Sequence, residues 1–331
     1  MLNIRFILKM LGRMCLLETL FMLVATGVAF LYGESDRFPF LIASGLMAAT
    51  GFLFCALGFK AKEKSAGRRE GMLIVTLIWI LFSFFGMLPF LLGGYIDNVT
   101  DAFFETMSGF TTTGSTILTD IERLPHGILF WRSLTQWQGG IGMVVFTVAL
   151  LPIFGGVSSQ MFDAETTGTG ISHERFLPRI TQVAKRLWGL YLFLTLVVIG
   201  LLWIGPMDLC DAVNHGLTTI STGGYSTKNS SIGFWHSAYV EYVVTIFMFI
   251  GATNMTLIYF SLNGRVKKLL RDEEFRWYVG LVLLAIAATG LWIYHLGFAD
   301  GVEVAFRKAA FQVVTLVTTC GFATDNFVPW G

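Results

Sequence analysis

Hydrophobic residues in this chain occur in long uninterrupted blocks instead of an amphipathic alternation. A helix needs about 20 apolar residues to cross the roughly 30 Å hydrocarbon layer of a bilayer. Seven blocks are about that long, at residues 14–32, 38–59, 71–95, 133–162, 187–207, 242–264 and 277–299. The last six contain no Asp, Glu, Lys or Arg. The pattern therefore predicts an all-α integral membrane protein.

Basic residues are concentrated in alternate loops between these blocks. Loops 60–69, 175–186 and 265–276 are rich in Lys and Arg, whereas the intervening loops carry few cations. Because cytoplasmic loops of membrane proteins are enriched in basic residues, we expect these three loops in the cytoplasm. The N-terminus is then cytoplasmic and the seventh crossing ends outside.

The composition agrees with a membrane protein and excludes several other classes. Only 14% of residues are charged, against roughly 25% in soluble domains. A net charge of +1 provides no basic surface for nucleic acid. The cysteines are far apart in sequence and form neither a zinc motif nor a disulfide framework; they are Cys15, Cys55, Cys210 and Cys320.

Three shorter, half-apolar stretches follow blocks three, five and seven and resemble one another. Residues 101–115 (DAFFETMSGFTTTGS), 211–225 (DAVNHGLTTISTGGY) and 308–322 (KAAFQVVTLVTTCGF) align without a gap. Numbered from 1 to 15, each has Ala at position 2, Thr or Ser at 11, Thr at 12 and Gly at 14. Positions 12 to 14 are called here the Thr-x-Gly turns: turn 1 (112–114), turn 2 (222–224) and turn 3 (319–321). The repeated unit is a crossing helix, a half-helix, a Thr-x-Gly turn and a second crossing helix.

This unit predicts the domain organisation. Two crossings per unit return the chain to the cytoplasm, so successive repeats have the same orientation and surround an axis normal to the bilayer. The predicted division is two leading helices at 1–70, a first repeat at 71–162, a second with its cytoplasmic loop at 163–264, and an incomplete third at 265–331. A central pore is the expected product.

The Thr-x-Gly turns have the chemistry of an ion filter. Non-helical backbone at membrane depth is tolerated where it is buried in protein or lines a water-filled cavity. Glycine permits left-handed conformations, and the preceding Thr or Ser provides a small hydroxyl group. The turns carry no carboxylates, which divalent cations prefer, so K⁺ is the first candidate ion. The alternative, turns that merely join helices, is disfavoured by the triplication.

Charged and imidazole groups in the same stretches are expected to have structural roles. They are Glu105, His126, His215, Arg307 and Lys308. For Glu105 and His215 we expect hydrogen bonds behind the turns or at the outer vestibule instead of a direct bond to the ion.

Small residues cluster on the second crossing helix of the first two repeats, at 138–142 (QGGIG) and 251–254 (GATN). Close helix packing is their simplest explanation, and a hinge or gate is the alternative. Tryptophans near the ends of the blocks are expected to be interfacial anchors; they are Trp131, Trp188, Trp203, Trp235, Trp277 and Trp292.

At four motifs the chain resembles the membrane subunit of the Trk/Ktr/HKT superfamily of potassium transporters, most closely its bacterial TrkH branch. The motifs are TMSGFTTTGST at 106–116, WRSLTQWQGGIGM at 131–143, TTISTGGYST at 218–227 and TTCGFATDNF at 318–327. The resemblance implies potassium uptake, with the turns as selectivity filter. It assigns K⁺ coordination to Thr112, Thr113, Gly114, Thr222, Gly223, Gly224, Thr319, Cys320 and Gly321.

The resemblance also implies partners and a location. Family members form homodimers and bind a cytosolic nucleotide-binding regulatory subunit of the TrkA or KtrA type, for which loops 60–69 and 265–276 are the expected contact surfaces. The implied location is the inner membrane of the cell, as a multi-pass protein embedded in the lipid bilayer.

Three alternatives remain from the sequence. Family members have four repeats, whereas this chain stops at Gly331 after its third turn, so we expect either a fragment of a longer product or an inactive short form. A relative that conducts Na⁺ or is non-selective is the second; Gly114 favours K⁺, because Na⁺-preferring plant HKT members carry Ser at the first filter glycine. A membrane enzyme is the third, but the blocks contain no HExxH, GxSxG or paired carboxylates.

Overall fold

The computed structural model describes residues 2–61, 68–142, 177–325 and Trp330, and the regular structure of these residues is helical, as predicted. The helices are α1 (Ile4–Tyr32), α2 (Arg37–Leu57), α3 (Arg68–Gly86), α4 (Leu88–Leu92), α5 (Val99–Phe110), α6 (His126–Gly140), α7 (Leu177–Ile204), α8 (Leu209–Ile220), α9 (Ala238–Gly251), α10 (Met255–Leu262), α11 (Val266–Arg271), α12 (Glu273–His295) and α13 (Val302–Val317), with a short 3₁₀ helix at Ser231–Trp235.

The chain divides into two compact units. The first comprises Met1–Thr111, Ser115–Leu118 and Arg123–Gly189, and the second comprises Thr112–Gly114, Thr119–Glu122 and Leu190–Gly331. Turn 1 therefore belongs to the same unit as turns 2 and 3. The four-part division into leading helices and repeats stays a prediction.

Five helices in the described residues are long and apolar enough to cross a membrane. They are Ile4–Tyr32, Arg37–Leu57, Arg69–Leu92, Ala184–Ile204 and Glu273–His295, which correspond to the first, second, third, fifth and seventh predicted blocks. The fourth block, 133–162, lies mostly outside the described residues, which end at residue 142 in this region.

The sixth block, 242–264, is not the single straight helix that its hydropathy predicts. It forms α9 and α10, which meet at an angle of 107°. The Asn254 side chain accepts a hydrogen bond from the Thr256 N–H at 3.0 Å, so it caps α10 as the start of a new helix. Hydropathy gives the length of an apolar segment, but it does not show where a capping residue such as Asn254 ends one helix and begins another.

Helices α1 and α2 of the first unit pack through glycines. A Cβ atom built on Gly12 would lie 2.6 Å from the Cys55 backbone nitrogen and 2.7 Å from the Gly51 carbonyl oxygen. The two backbones are therefore too close for any side chain at this position. Small residues serve this purpose in membrane helices, where van der Waals contact between helices replaces the hydrophobic effect.

Trp131 is a core residue of the first unit, so its assignment as an interfacial anchor is wrong. Its side chain is fully buried, and its indole N–H donates to the Gly86 carbonyl at 3.0 Å. The rings of Phe40 and Phe110 meet it edge-on, with centroids 6.2 Å and 6.3 Å away. A tryptophan near a helix end lies at the membrane–water interface only when no other part of the protein packs over its side chain. Trp203, Trp277 and Trp292 are more than half exposed, as anchors are.

In the second unit, α12 and α13 pack through small side chains. Ile293, Ala305 and Ala309 are fully buried together. A Cβ on Gly290 would lie 2.9 Å from the Phe306 ring, so this glycine accommodates an aromatic side chain from α13. Helix α12 thereby supports the half-helix that leads to turn 3.

Changing Gly12 to Ala is expected to lower the stability of the first unit, because the added methyl group would overlap the backbone of α2. Overpacked sites of this kind cost about 1–3 kcal/mol. The matched control is Gly27→Ala in the same helix, where an added Cβ meets no atom within 4 Å. Thermal unfolding of the purified protein in detergent measures both. Equal midpoints for the two variants would contradict the backbone contact between α1 and α2.

Candidate functional site

Each Thr-x-Gly turn directly follows a helix that is too short to cross a bilayer. Helices α5 and α8 have 12 residues each and α13 has 16, so at about 1.5 Å per residue none reaches the roughly 30 Å of hydrocarbon. The Asn98 side chain caps α5, and the Asp208 side chain caps α8 by accepting from the Asp211 N–H at 2.7 Å. A short helix therefore precedes each turn and places the partial negative charge of its C-terminus there, and its re-entrant position in the membrane stays a prediction.

The three turns share one backbone conformation. Position 11 is right-handed in every copy, with φ of −82° at Thr111, −74° at Ser221 and −82° at Thr318. Positions 12 and 14 are left-handed, with φ of 54°, 51° and 58° at Thr112, Thr222 and Thr319, and 76°, 77° and 84° at Gly114, Gly224 and Gly321. Threonine rarely has a positive φ. Its recurrence at one position indicates a conformation that the fold requires.

Backbone hydrogen bonds explain the left-handed threonines of turns 2 and 3. The Gly223 N–H donates to the Thr218 carbonyl, and the Cys320 N–H donates to the Thr315 carbonyl, both at 2.9 Å. These bonds run from position 13 to position 8, the pattern of a helix that ends in a Schellman-type cap. The turn thus satisfies the last carbonyls of the half-helix.

The three turns meet through backbone atoms. A Cβ built on Gly114 would lie 2.1 Å from the Gly223 carbonyl oxygen, and one built on Gly224 would lie 1.9 Å from the Cys320 carbonyl oxygen. A Cβ on Gly321 meets no atom within 4 Å. The glycine of turn 1 thus faces a carbonyl of turn 2, and the glycine of turn 2 faces a carbonyl of turn 3.

The ligands available at this site are neutral oxygens. The described residues contain no group of three or more His, Cys, Asp or Glu side chains that could hold a metal ion. The backbone carbonyls of turns 2 and 3 instead lie close to the glycine of the preceding turn. Cys320 is fully buried, and its carbonyl oxygen faces Gly224 of turn 2. Such an arrangement suits a weakly hydrated monovalent cation.

Glu105 at position 5 of the first repeat lies behind turn 1 and is fully hydrogen-bonded. Its carboxylate accepts from the Arg132 side chain at 2.9 Å, from the Thr116 hydroxyl at 2.9 Å and from the Ile117 N–H at 3.0 Å. The side chains of Arg132 and Glu105 are 2% and 0% exposed. This confirms the structural role expected for Glu105. The partners Arg132 and Thr116 were not predicted.

His215 occupies the same position behind turn 2. Its Nδ1 lies 2.8 Å from the Asp211 carbonyl and its Nε2 lies 2.9 Å from the Ser226 hydroxyl. Because a carbonyl only accepts, Nδ1 carries the proton of the neutral ring and Nε2 accepts from Ser226. Glu105 and His215 therefore both bond position 5 to position 16. Extending the alignment by one residue, to Thr116 and Ser226, would have found these partners.

His126, Arg307 and Lys308 also have partners. His126 lies 2.9 Å from Glu34, and Lys308 lies 2.5 Å from Asp325. Arg307 donates to both Glu241 and Glu303. Hydrogen bonds from Tyr242 and Arg307 lower the pKa of Glu303. The expectation of structural roles for His126, Arg307 and Lys308 is confirmed.

The second cluster of small residues packs against the base of turn 2. A Cβ on Gly251 would lie 2.8 Å from the Ile220 carbonyl oxygen and 3.3 Å from the Thr222 methyl group. Close packing, the simplest explanation, is confirmed for Gly251, and the bend between α9 and α10 begins directly after it. The first cluster ends at Gly142, and the residues that follow it are outside the described part of the chain.

Comparisons with known proteins give one consistent family. A family model named TrkH and described as a cation transport protein matches residues 46–330. The Trk system potassium uptake protein TrkH of Escherichia coli K12 is 37% identical over 99% of this chain and 68% of its own length. TrkH of Vibrio parahaemolyticus is 35% identical over 98% of this chain and 68% of its own length.

A solved structure supports the same relationship. The crystal structure of the potassium transporter TrkH from Vibrio parahaemolyticus superposes with a TM-score of 0.87 and 33% sequence identity. The superposition covers 100% of this chain and 68% of that one. The helical fold of the described residues is therefore shared with that transporter.

Changing Arg132 to Met is expected to destabilise the protein by about 3–5 kcal/mol, because the Glu105 carboxylate would remain buried without its charged partner. The double variant E105Q/R132M removes both charges and is expected to recover most of this loss. Chemical or thermal unfolding of the purified variants measures the difference. A double variant as unstable as Arg132→Met would show that Arg132 contributes packing and not charge.

Proposed function

Because this chain belongs to the TrkH family of cation transport proteins, we propose that it carries K⁺ across the membrane through a filter formed by its Thr-x-Gly turns. The observation that carries this proposal is the mutual contact of the turns, in which the glycines of turns 1 and 2 face carbonyl oxygens of the next turn. The E. coli and Vibrio relatives are named as potassium uptake proteins.

The proposed chemistry is replacement of the hydration shell by protein oxygens. K⁺ holds its water less tightly than Na⁺, so a ring of neutral carbonyls and hydroxyls compensates for its dehydration more completely. The half-helix C-termini add partial negative charge without a carboxylate. The residues proposed to coordinate the ion are Thr112, Thr113, Gly114, Thr222, Gly223, Gly224, Thr319, Cys320 and Gly321.

A Na⁺-conducting or non-selective relative is the alternative, and the geometry at turn 1 disfavours it. Gly114 approaches the Gly223 carbonyl so closely that a serine at this position would displace that oxygen. The glycine thus leaves room for the Gly223 carbonyl oxygen beside turn 1. Displacement of that oxygen would weaken the discrimination between K⁺ and Na⁺.

We also propose in which membrane the chain lies and how it is oriented there. The chain is a membrane protein, and we place it in the inner membrane with a cytoplasmic N-terminus, in accordance with the basic loops. We propose three parallel repeats after two leading helices. A transport role accords with the family, whose model is described as a cation transport protein.

Partners follow from the family and from the basic loops. Relatives are named as components of a Trk system, and we propose a homodimer that binds a cytosolic nucleotide-binding regulatory subunit of the TrkA or KtrA type. Loops 60–69 and 265–276 supply the positive charge for that contact. A pull-down with the purified regulatory subunit, repeated with the cations of 265–276 changed to Gln, tests the surface.

The transport proposal is tested by ion uptake in a host that lacks its own K⁺ uptake systems. We expect the gene product that contains this chain to restore growth at low K⁺ and to take up Rb⁺ in preference to Na⁺. The same host without this gene product serves as the inactive control. Equal uptake of Na⁺ and Rb⁺ would contradict the proposed selectivity.

Changing Gly224 to Ser is expected to weaken K⁺ selectivity, because its Cβ would lie 1.9 Å from the Cys320 carbonyl oxygen and displace it. The control is Gly321→Ser, which has the same kind of left-handed backbone, with a φ of 84°, but no atom within 4 Å of its Cβ. Both variants bear the backbone strain, and only Gly224→Ser moves a carbonyl. Inhibition of Rb⁺ uptake by Na⁺ measures the difference. Similar selectivity in both would show that turn 2 is only a connector.

A further inference from the structure

The second and third repeats each contain an ion pair between position 1 and position 18, and the sign of the pair is reversed between them. In the second repeat Asp211 at position 1 lies 3.1 Å from Lys228 at position 18. In the third repeat Lys308 at position 1 lies 2.5 Å from Asp325 at position 18. Position 18 of the first repeat is Leu118.

We propose that these two ion pairs are equivalent positioning elements that hold turns 2 and 3 in the geometry that selects K⁺. This inference rests on the proposed function. Each pair joins the early part of a half-helix to the segment that leaves the turn, and so closes a loop that contains the turn. The four side chains act on the ion through the backbone of the turn and do not touch it.

The reversed sign of the two pairs favours a positioning role over a role in attracting cations to the site. A carboxylate that concentrates cations at the outer mouth would have the same sign and place in each repeat. Here the second repeat has its carboxylate on the half-helix and the third repeat has it after the turn, and each pair is neutral overall. What the two repeats share is the bond between positions 1 and 18.

Burial makes the Asp211–Lys228 pair stronger than an ordinary surface ion pair, whereas the Lys308 and Asp325 side chains are 26% and 36% exposed. The Asp211 and Lys228 side chains are 9% and 23% exposed, so water and salt screen them less than an exposed pair. Asp211 also accepts from the Thr227 hydroxyl at 2.6 Å. Because turn 2 has this bond and the His215 bond as well, it has several connections between half-helix and exit segment.

Turn 3 has fewer connections of this kind, namely the Lys308–Asp325 pair and the bond from the Thr315 hydroxyl on α13 to the Phe322 carbonyl at 3.0 Å. Position 16 is Ala323, which has no hydroxyl to bond to the half-helix, whereas Thr116 and Ser226 make that bond in the other repeats. The backbone of Ala323 instead bonds to Gly233 and Ser231 of the preceding loop. These bonds fix the exit segment to its neighbour but not to α13. Left-handed residues such as Thr319 persist only where surrounding contacts hold them.

The test uses charge reversal in the third repeat of the full gene product. The variants are Lys308→Asp, Asp325→Lys and the double variant K308D/D325K, which reproduces the arrangement of the second repeat. The control is Asp300→Lys, which makes the same charge change at an exposed residue of the loop before α13. Rb⁺ uptake, its inhibition by Na⁺ and the amount of protein in the membrane are measured for each.

At equal membrane amount, each single variant is expected to show a K⁺ over Na⁺ selectivity about fivefold lower than the unmodified protein. This factor corresponds to the loss of an ion pair that contributes about 1 kcal/mol. The double variant is expected to restore it, and Asp300→Lys is expected to match the unmodified protein. If single reversals do not reach the membrane, Asp325→Asn and the K⁺-dependent rise of the unfolding midpoint in detergent replace them.

Two results would overturn the inference. Single variants that discriminate as well as Asp300→Lys would show that the pair does not position the turn. A double variant that recovers membrane amount without recovering discrimination would show a purely structural pair. Failure of the proposed function is a separate result, because it would appear as absent discrimination in the unmodified protein.

Discussion

The arrangement of the turns depends on one constraint: a backbone N–H or C=O at membrane depth has no water to bond. Leaving such a group unpaired costs several kcal/mol in hydrocarbon. In turns 2 and 3 the N–H at position 13 is returned to the half-helix at 2.9 Å. The carbonyls at the same position face a neighbouring glycine instead. The backbone donors are thus consumed and the acceptors remain available, which is the condition for a cation site made of peptide groups.

The first two repeats both bond position 5 to position 16, but the side chains that make this bond differ in chemistry. A carboxylate at Glu105 and a neutral imidazole at His215 both bond the residue at position 16. The hydroxyl at position 8 donates to the carbonyl at position 15 in two repeats, from Ser108 at 2.7 Å and from Thr315 at 3.0 Å. The turn conformation therefore does not depend on one residue type behind it. It depends on a bond at each of a few positions.

The sequence predicts the helical fold, the short helices and the turns because each depends on a local pattern of consecutive residues. Hydropathy marks the crossings, and the spacing of Ala, Thr and Gly marks the repeats. The partner of Glu105 is not visible in this way, since Arg132 lies 27 residues away on another helix. The burial of Trp131 likewise depends on Gly86, Phe40 and Phe110. Asn254 is a local signal for the bend at α10 that hydropathy alone does not register.

The reversed ion pairs limit how freely the repeats could be exchanged. A half-helix transplanted from the third repeat into the second would place Lys308 beside Lys228, and the reverse exchange would place Asp211 beside Asp325. Like charges at these distances repel, so each half-helix is matched to the exit segment of its own repeat. The second and third copies resemble interchangeable modules in their backbone, yet their charges make each of these two specific to its own position in the chain. A recombination event would preserve the site only if it carried positions 1 to 18 together.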